Sequence, residues 1–143
     1  MQLTRYTDYS LRVLLYLGIQ EEGHRVTVSD IAERFDIARN HLVKVVHRLG
    51  QLGYIETIRG KGGGIVLGHD PGDIRLGAVV RDMEAKLEII DCNNPPCPLA
   101  CNCKLKGVLN QAARAFLDVL DLYTLADMLE QPQQMRTLLR LHA

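Results

Sequence analysis

The feature that most constrains the fold is Gly60-Lys61-Gly62-Gly63-Gly64, a glycine run set between two short stretches of strand character. Glycine at that density supports neither helix nor strand, so the chain must turn there. Before it, Tyr54 to Arg59 alternates apolar and polar residues; after it, Ile65-Val66-Leu67 resumes the strand pattern. A β-hairpin with a nearly bare tip is predicted.

What precedes the hairpin is helical. Leu42, Val45, Val46, Leu49 and Leu52 repeat at steps of three and four, predicting a helix over 39–52 that buries one stripe and ends at Gly53. Its other face carries Asn40, Lys44, His47, Arg48 and Gln51, and is polar and cationic. A short helix over 29–35, with Ser29 as cap, precedes it across the turn Asp36 to Ala38. Two helices joined by a tight turn and followed by a hairpin make a winged helix-turn-helix, whose second helix enters a DNA groove. A first helix is expected from Thr7, as cap, to about Gln20. It has two apolar faces: Leu11, Leu14 and Leu15 on one, Tyr9, Val13 and Tyr16 on the other. The second is expected to meet a partner chain.

Beyond the Asp70-Pro71-Gly72 turn a helix is predicted over 76–83. A segment broken by Pro95, Pro96 and Pro98 follows, then a long helix over 104–123. In that helix Leu105, Leu109, Ala112, Phe116, Val119 and Tyr123 alternate steps of four and three, the seam spacing of a coiled coil. The residues from Pro132 onward are expected to dock as a short helix. The fold class is therefore mainly α: a winged helix-turn-helix domain with a long C-terminal dimerisation helix. Three parts are expected: the DNA-binding domain over 1–75, a connecting helix and cysteine-rich loop over 76–103, and the dimerisation helix with its tail over 104–143.

Seventeen basic and seventeen acidic residues cancel, so total charge identifies no partner; its distribution does. From Arg34 to Lys61 six cations, Arg34, Arg39, Lys44, Arg48, Arg59 and Lys61, face only Asp36 and Glu56, while Asp118 to Glu130 holds four acids and no base. Arg39, Asn40 and His41 start the predicted recognition helix, where base edges and phosphates are met; Lys44 and Arg48 follow along its outer face. Arg59 and Lys61 flank the glycine tip, which is slim enough for a minor groove. The predicted partner is double-stranded DNA. A charged fraction of 24%, no apolar run long enough to span a bilayer and an N-terminus without secretory character point to a cytoplasmic protein.

All four cysteines fall within twelve residues, Cys92, Cys97, Cys101 and Cys103. In a reducing compartment this clustering favours metal or redox work over structural disulfides. Zinc knuckles usually space paired cysteines two to four residues apart, and Cys101-x-Cys103 is closer than that. Iron-sulfur ligation tolerates irregular spacing and is helped by positive potential, which Lys104, Lys106 and the start of the long helix would supply. If Asn102 caps that helix, Cys103 lies in its first turn. Zinc and inert buried thiols remain the alternatives. With no Cys-x-x-Cys and no nucleophile-base pair, enzymatic activity is not expected and no catalytic residues are assigned.

Four segments, taken in order, carry a resemblance along essentially the whole chain. They are Leu3-Thr4-x-Tyr6-Thr7-Asp8-Tyr9-x-Leu11-Arg12, Arg39-Asn40-His41-Leu42-Val43-Lys44, Arg59-Gly60-Lys61-x-Gly63-Gly64 and the cysteine loop. The sequence resembles the winged-helix iron-sulfur transcription regulators of the NsrR/IscR family, and within it the nitric-oxide-sensing branch. The resemblance implies three cysteine ligands, matching Cys92, Cys97 and Cys103, and leaves Cys101 as the extra one. One branch takes a histidine shortly after the third cysteine as fourth ligand; here Lys106 and Gly107 stand there, and the only later histidine is His142. The nitric-oxide-sensing branch uses an aspartate near the N-terminus of the partner chain, matching Asp8. Read locally, Asp8 is equally a helix-start acid paired with Arg12. Cys101 is the alternative fourth ligand.

The resemblance further implies an iron-sulfur cluster, 4Fe-4S with 2Fe-2S as the alternative, in a homodimeric repressor. Nitric oxide, as signal, would nitrosylate the cluster and release operator DNA. Losing an Asp8 bond to iron would free the first helix and disturb two reading heads spaced roughly 34 to 36 Å apart. The alternatives are a redox- or iron-sensing regulator of the same family and a zinc-stabilised winged-helix DNA-binding protein.

Overall fold

The apolar stripe of the recognition helix organises the structure, a computed structural model that describes residues 1–141. Helix α2 (Val28–Phe35) leads through Asp36, in the left-handed region at φ 52, into α3 (Arg39–Gln51). Leu42, Val45, Val46 and Leu49 of α3 are buried, as their spacing predicts; Leu52 is half-buried at the C-cap. They pack on helix α1 (Arg5–Gly18), which also touches later elements of the fold. Val13, Leu14 and Ile31 are fully buried there. Each such aliphatic side chain contributes about 1.5–3 kcal/mol relative to exposure.

The wing is an antiparallel pair, β1 (Ile55–Ile58) and β2 (Gly64–Leu67), in the register Ile55 to Leu67 through Ile58 to Gly64. Val26 adds a third, single-residue rung by exchanging both backbone hydrogen bonds with Ile65, at 3.2 and 2.7 Å. The glycines of the turn are required by shape. Gly60 and Gly62 have φ of 97° and 74°, and a Cβ on Gly63 would lie 2.3 Å from the Ile58 carbonyl oxygen.

Helix α4 (Leu76–Met83) has the predicted bounds and buries Val79, Val80 and Met83. Helix α5 (Lys104–Leu120) follows the cysteine loop and packs on α4. Among the described residues, none of α5's side chains is buried, and Leu105, Val108 and Val119 are more than half exposed. The chain then returns to the core. Arg75 and Thr124 form a bridge, the Leu125 N–H bonds the Ile74 carbonyl at 2.8 Å, and Leu125 is 1% exposed. Helix α6 (Leu125–Met128) packs on α1, and in α7 (Pro132–Leu138) Arg136 donates its Nε–H to the Ile19 carbonyl at 2.7 Å.

Several expectations need correction. Helix α1 starts at Arg5 with Thr4 as cap, not Thr7; Thr7 is wholly buried, held by a tertiary contact. The expected partner face of α1 belongs to this chain's own core, because Val13 is 0% and Tyr16 4% exposed, with Tyr16 edge-on to Phe35. Helix α2 is capped by Thr27 rather than Ser29, through a capping box with Asp30. The long helix stops at Leu120 because residues 121–125 turn back to pair with 74–76. Helix α6 was not foreseen. Among the described residues no helix is long and apolar enough to cross a membrane.

Candidate nucleic-acid interface and cysteine loop

The burial of one face of α3 leaves Arg39, Asn40, His41, Lys44 and Arg48 exposed together on the other. The side chains of Arg39 and His41 are held by neighbouring elements. The Arg39 Nε–H donates to Ser29 Oγ at 3.1 Å, tying the start of α3 to α2. The His41 ring lies parallel to Tyr9 with centroids 6.4 Å apart, and the Tyr6 hydroxyl donates to the Lys44 carbonyl at 3.4 Å. Two tyrosines of α1 thus brace the exposed face, a role sequence reasoning missed because they sit thirty and more residues away. Val43 also reaches the surface of α3, 41% exposed. Ala38, the N-cap, supplies no side-chain bond; the His41 N–H is taken by Asn40 Oδ1 and the Ala38 carbonyl, both at 3.0 Å, which leaves the Arg39 and Asn40 amides at the helix start for an external acceptor.

Arg59 and Lys61 are exposed at the wing tip, as expected. The tip is held by Arg25, whose Nη1–H donates to the Gly62 carbonyl at 2.9 Å. Arg25 lies outside the basic stretch that charge counting picked out. Only its place beside the Val26 rung reveals its role.

The wing's base is tied to α4 by a hydrogen bond of 2.6 Å from the Tyr54 hydroxyl to Asp82 Oδ2. Burial, then that bond, holds the Tyr54 phenol well above the usual tyrosine range. In the same last turn of α4, the neighbouring Arg81 grips Asp121 with a bidentate pair at 2.7 and 2.6 Å, keeping the Asp121 carboxyl below its ordinary value. Helices α4 and α5 are fixed to one another there.

In the cysteine loop all four thiols are free. Cys92 is buried, Cys103 is half-buried, and Cys97 and Cys101 are exposed. The loop is a chain of tight turns: Asp91 Oδ1 accepts the N–H groups of Asn93 and Asn94, the Cys97 N–H bonds the Cys92 carbonyl at 3.0 Å, and the Ala100 N–H bonds the Cys97 carbonyl at 3.1 Å. Cys103, rather than Asn102, caps α5; its Sγ accepts the Lys106 N–H at 3.4 Å. Among the described residues no three His, Cys, Asp or Glu side chains converge as a metal site. His142 lies outside the described residues.

Asp8 makes the local pair that its spacing allows, with Arg12 at 3.0 and 2.9 Å. Both partners are more than 40% exposed, which limits the pair to at most about 1 kcal/mol. The Arg12 guanidinium also lies 5.8 Å from the Phe35 ring centre. A groove of about 700 Å³ runs beside this pair, lined by Leu3, Thr4, Arg5, Asp8 and Arg12 among others.

A helix-turn-helix with a cationic outer face, a wing with a basic tip and a thiol-rich loop ahead of an exposed helix define a class: winged-helix DNA-binding transcription regulators. Residues 3–131 match the Rrf2 family, described as iron-dependent transcriptional regulators. The chain belongs to the Rrf2 family. It is 50% identical over 144 residues to the HTH-type transcriptional regulator NsrR of Bacillus subtilis (strain 168), covering 99% of both chains. It is also 50% identical over 143 residues to the NsrR of Geobacillus kaustophilus (strain HTA426), covering 98% of this chain and 97% of that one. Among solved structures, T. potens IscR superposes with a TM-score of 0.76 at 24% identity, over 95% of this chain and 91% of its own. The oxidized form of Staphylococcus aureus CymR superposes with a TM-score of 0.73 at 25% identity, over 91% of this chain and 97% of its own. These two likenesses concern the fold.

Proposed function

We propose that the chain is a homodimeric transcription repressor that holds an iron-sulfur cluster, senses nitric oxide and then releases operator DNA. The observation that carries this reading is the cysteine loop: four free thiols on linked turns, one of them the N-cap of α5 with a backbone N–H directed at its sulfur. Thiolates are soft ligands for iron, and the amide, the helix start and the neighbouring Lys104 and Lys106 favour an anionic centre. The donor set fits the group. Cys92, Cys97 and Cys103 would hold it, with Asp8 of the second protomer as fourth ligand and Cys101 as the alternative. Similarity to NsrR regulators over nearly the whole chain supports this assignment.

When bound, the cluster supplies iron that nitric oxide can ligate. The remaining steps belong to the chain. Asp8 shares the first turns of α1 with Tyr6 and Tyr9, and these two touch Lys44 and His41 of the recognition helix. A change at Asp8 therefore has a short contact path to the DNA-reading face. Freed from an iron bond, Asp8 would return to Arg12, and the braces on α3 would shift with α1.

The test is anaerobic purification with iron and sulfide counting, followed by operator binding before and after nitric oxide. Expected are bound iron and inorganic sulfide, tight binding in the cluster-loaded state and loss of specific binding after exposure. Zinc without sulfide would replace the sensor reading with that of a metal-stabilised DNA-binding protein. Unaltered affinity after complete reaction with nitric oxide would exclude that signal. Asp8→Ala and Cys101→Ala, compared for cluster retention and visible spectrum, decide the fourth ligand. On the DNA side, Arg59→Ala should weaken operator and non-operator binding alike and lower the salt slope by about one unit. Changes at Asn40 or His41 should instead alter sequence preference.

A further inference from the structure

Glu84 stands where three parts of the chain meet. It is the C-cap of α4 and opens the linker that leads to Cys92. Its Oε2 accepts three hydrogen bonds from the start of α1: the Thr4 N–H at 3.1 Å, the Thr4 hydroxyl at 3.1 Å and the Thr7 hydroxyl at 2.5 Å. Thr4 is the N-cap of α1, and its own Oγ1 accepts the Thr7 N–H at 3.4 Å. One carboxylate oxygen therefore closes a network whose donors lie 77 and 80 residues earlier.

The chemistry favours a strong contact. A carboxylate accepting neutral donors makes bonds about twice as strong as neutral pairs, and a negative group beside a helix N-terminus is further stabilised. Its geometry faces two ways. The Asp8 N–H bonds the Thr4 carbonyl at 3.0 Å, so the cap that Glu84 holds also carries Asp8, and Thr4 lines the same groove as Asp8 and Arg12. Glu84 also borders a small apolar cavity of about 190 Å³ with Leu3, Leu87, Ile89 and Phe116, where the N-terminal segment, the linker and α5 meet.

We propose that Glu84 is a positioning residue, a latch that makes the first turn of α1 and the linker to the cysteine loop move as one body. This inference rests on the functional reading above for its consequence: engagement at Asp8 of one protomer would be felt in the cysteine loop of that same protomer. Each chain would carry the signal between its own two halves of the sensor.

The experiment compares wild type, Glu84→Gln, which keeps the shape with a weaker acceptor, and Thr7→Val, which removes one donor and leaves the linker untouched. Hydrogen-deuterium exchange on the cluster-free proteins reads the latch directly. Exchange should rise together in residues 4–8 and 85–92 of both variants, and stay at the wild-type rate in α3 and the wing. In the cluster-loaded proteins, iron and sulfide content should match wild type while the ratio of cluster-free to cluster-loaded operator Kd falls about tenfold, the scale of one charged hydrogen bond. Exchange that rises on one side only, or an unchanged Kd ratio, would overturn the proposal. Collapse of the fold in both variants would overturn it too, by making the contact purely structural. If wild type itself shows no difference between the two states, the functional reading fails, and the exchange arm alone decides the latch.

Discussion

Tyr54 gives the clearest residue-scale consequence. Its phenol is held protonated by burial and by the bond to Asp82, so its folded pKa lies above the unfolded value of about 10. A raised folded pKa means stability that is present below pH 10 and lost as pH rises further, because the unfolded chain ionises first. Urea midpoints measured across the alkaline range should therefore decline above about pH 10, and less steeply in Tyr54→Phe. An identical alkaline limb in the variant would contradict this account. Side chains of this kind also mark where sequence reading fails. Thr4 and Thr7 are equally good caps by type, and only the carboxylate of Glu84, far away in sequence, decides that Thr4 caps while Thr7 is buried. The cationic residues were legible because charge on a helix face or hairpin tip is a local property. Tyr6, Tyr9 and Arg25 were not, because their roles arise from packing against distant elements.

At the scale of elements, the recognition helix, the wing and α4 followed from spacing and glycine content. Local chemistry there agrees with tertiary packing. Gly63 shows how tightly the wing depends on it: an added Cβ would meet backbone oxygen, which cannot swing aside like a side chain. Gly63→Ala should cost about 1–3 kcal/mol in urea unfolding. Operator affinity should fall with an unchanged salt slope, since no charge is removed. A variant as stable as wild type would show that the turn adapts. Helix α6 was overlooked although a signal was present: Thr124 and Asp127 form a capping box, Thr-x-x-Asp, over a single turn. One turn is too short for periodicity to register, and Leu125 is fixed by pairing with residues fifty positions earlier.

For the whole molecule, the decisive contrast is between a core centred on α1 and an α5 that contributes nothing fully buried to it. The seam spacing of Leu105, Leu109, Ala112, Phe116 and Val119 along α5 and the exposure of Leu105 and Val119 agree with a second copy as its cover, while Tyr123, expected to continue the seam, lies past the helix end. A doubly substituted Leu105→Glu, Val119→Glu protein should sediment as a monomer and bind a two-half-site operator about a hundredfold more weakly or worse, because avidity is lost. Persistence of the dimer would place the interface elsewhere. The exposed apolar seam of α5 was legible as a pattern, whereas the placing of the thiols on linked turns was not: sequence supplies the donors, and folding sets where each of them stands.

Cys103 starts α5 with its sulfur, so removing that atom has two effects at once. Under the proposed ligation, loss of colour in an alanine variant would be ambiguous, since the helix would fray at its first turn in the same change that removed a proposed iron ligand. Serine separates the two, for its hydroxyl is a preferred cap and a poor match for iron. A colourless Cys103→Ser protein with wild-type helicity would isolate coordination from folding, which makes serine the more informative replacement here.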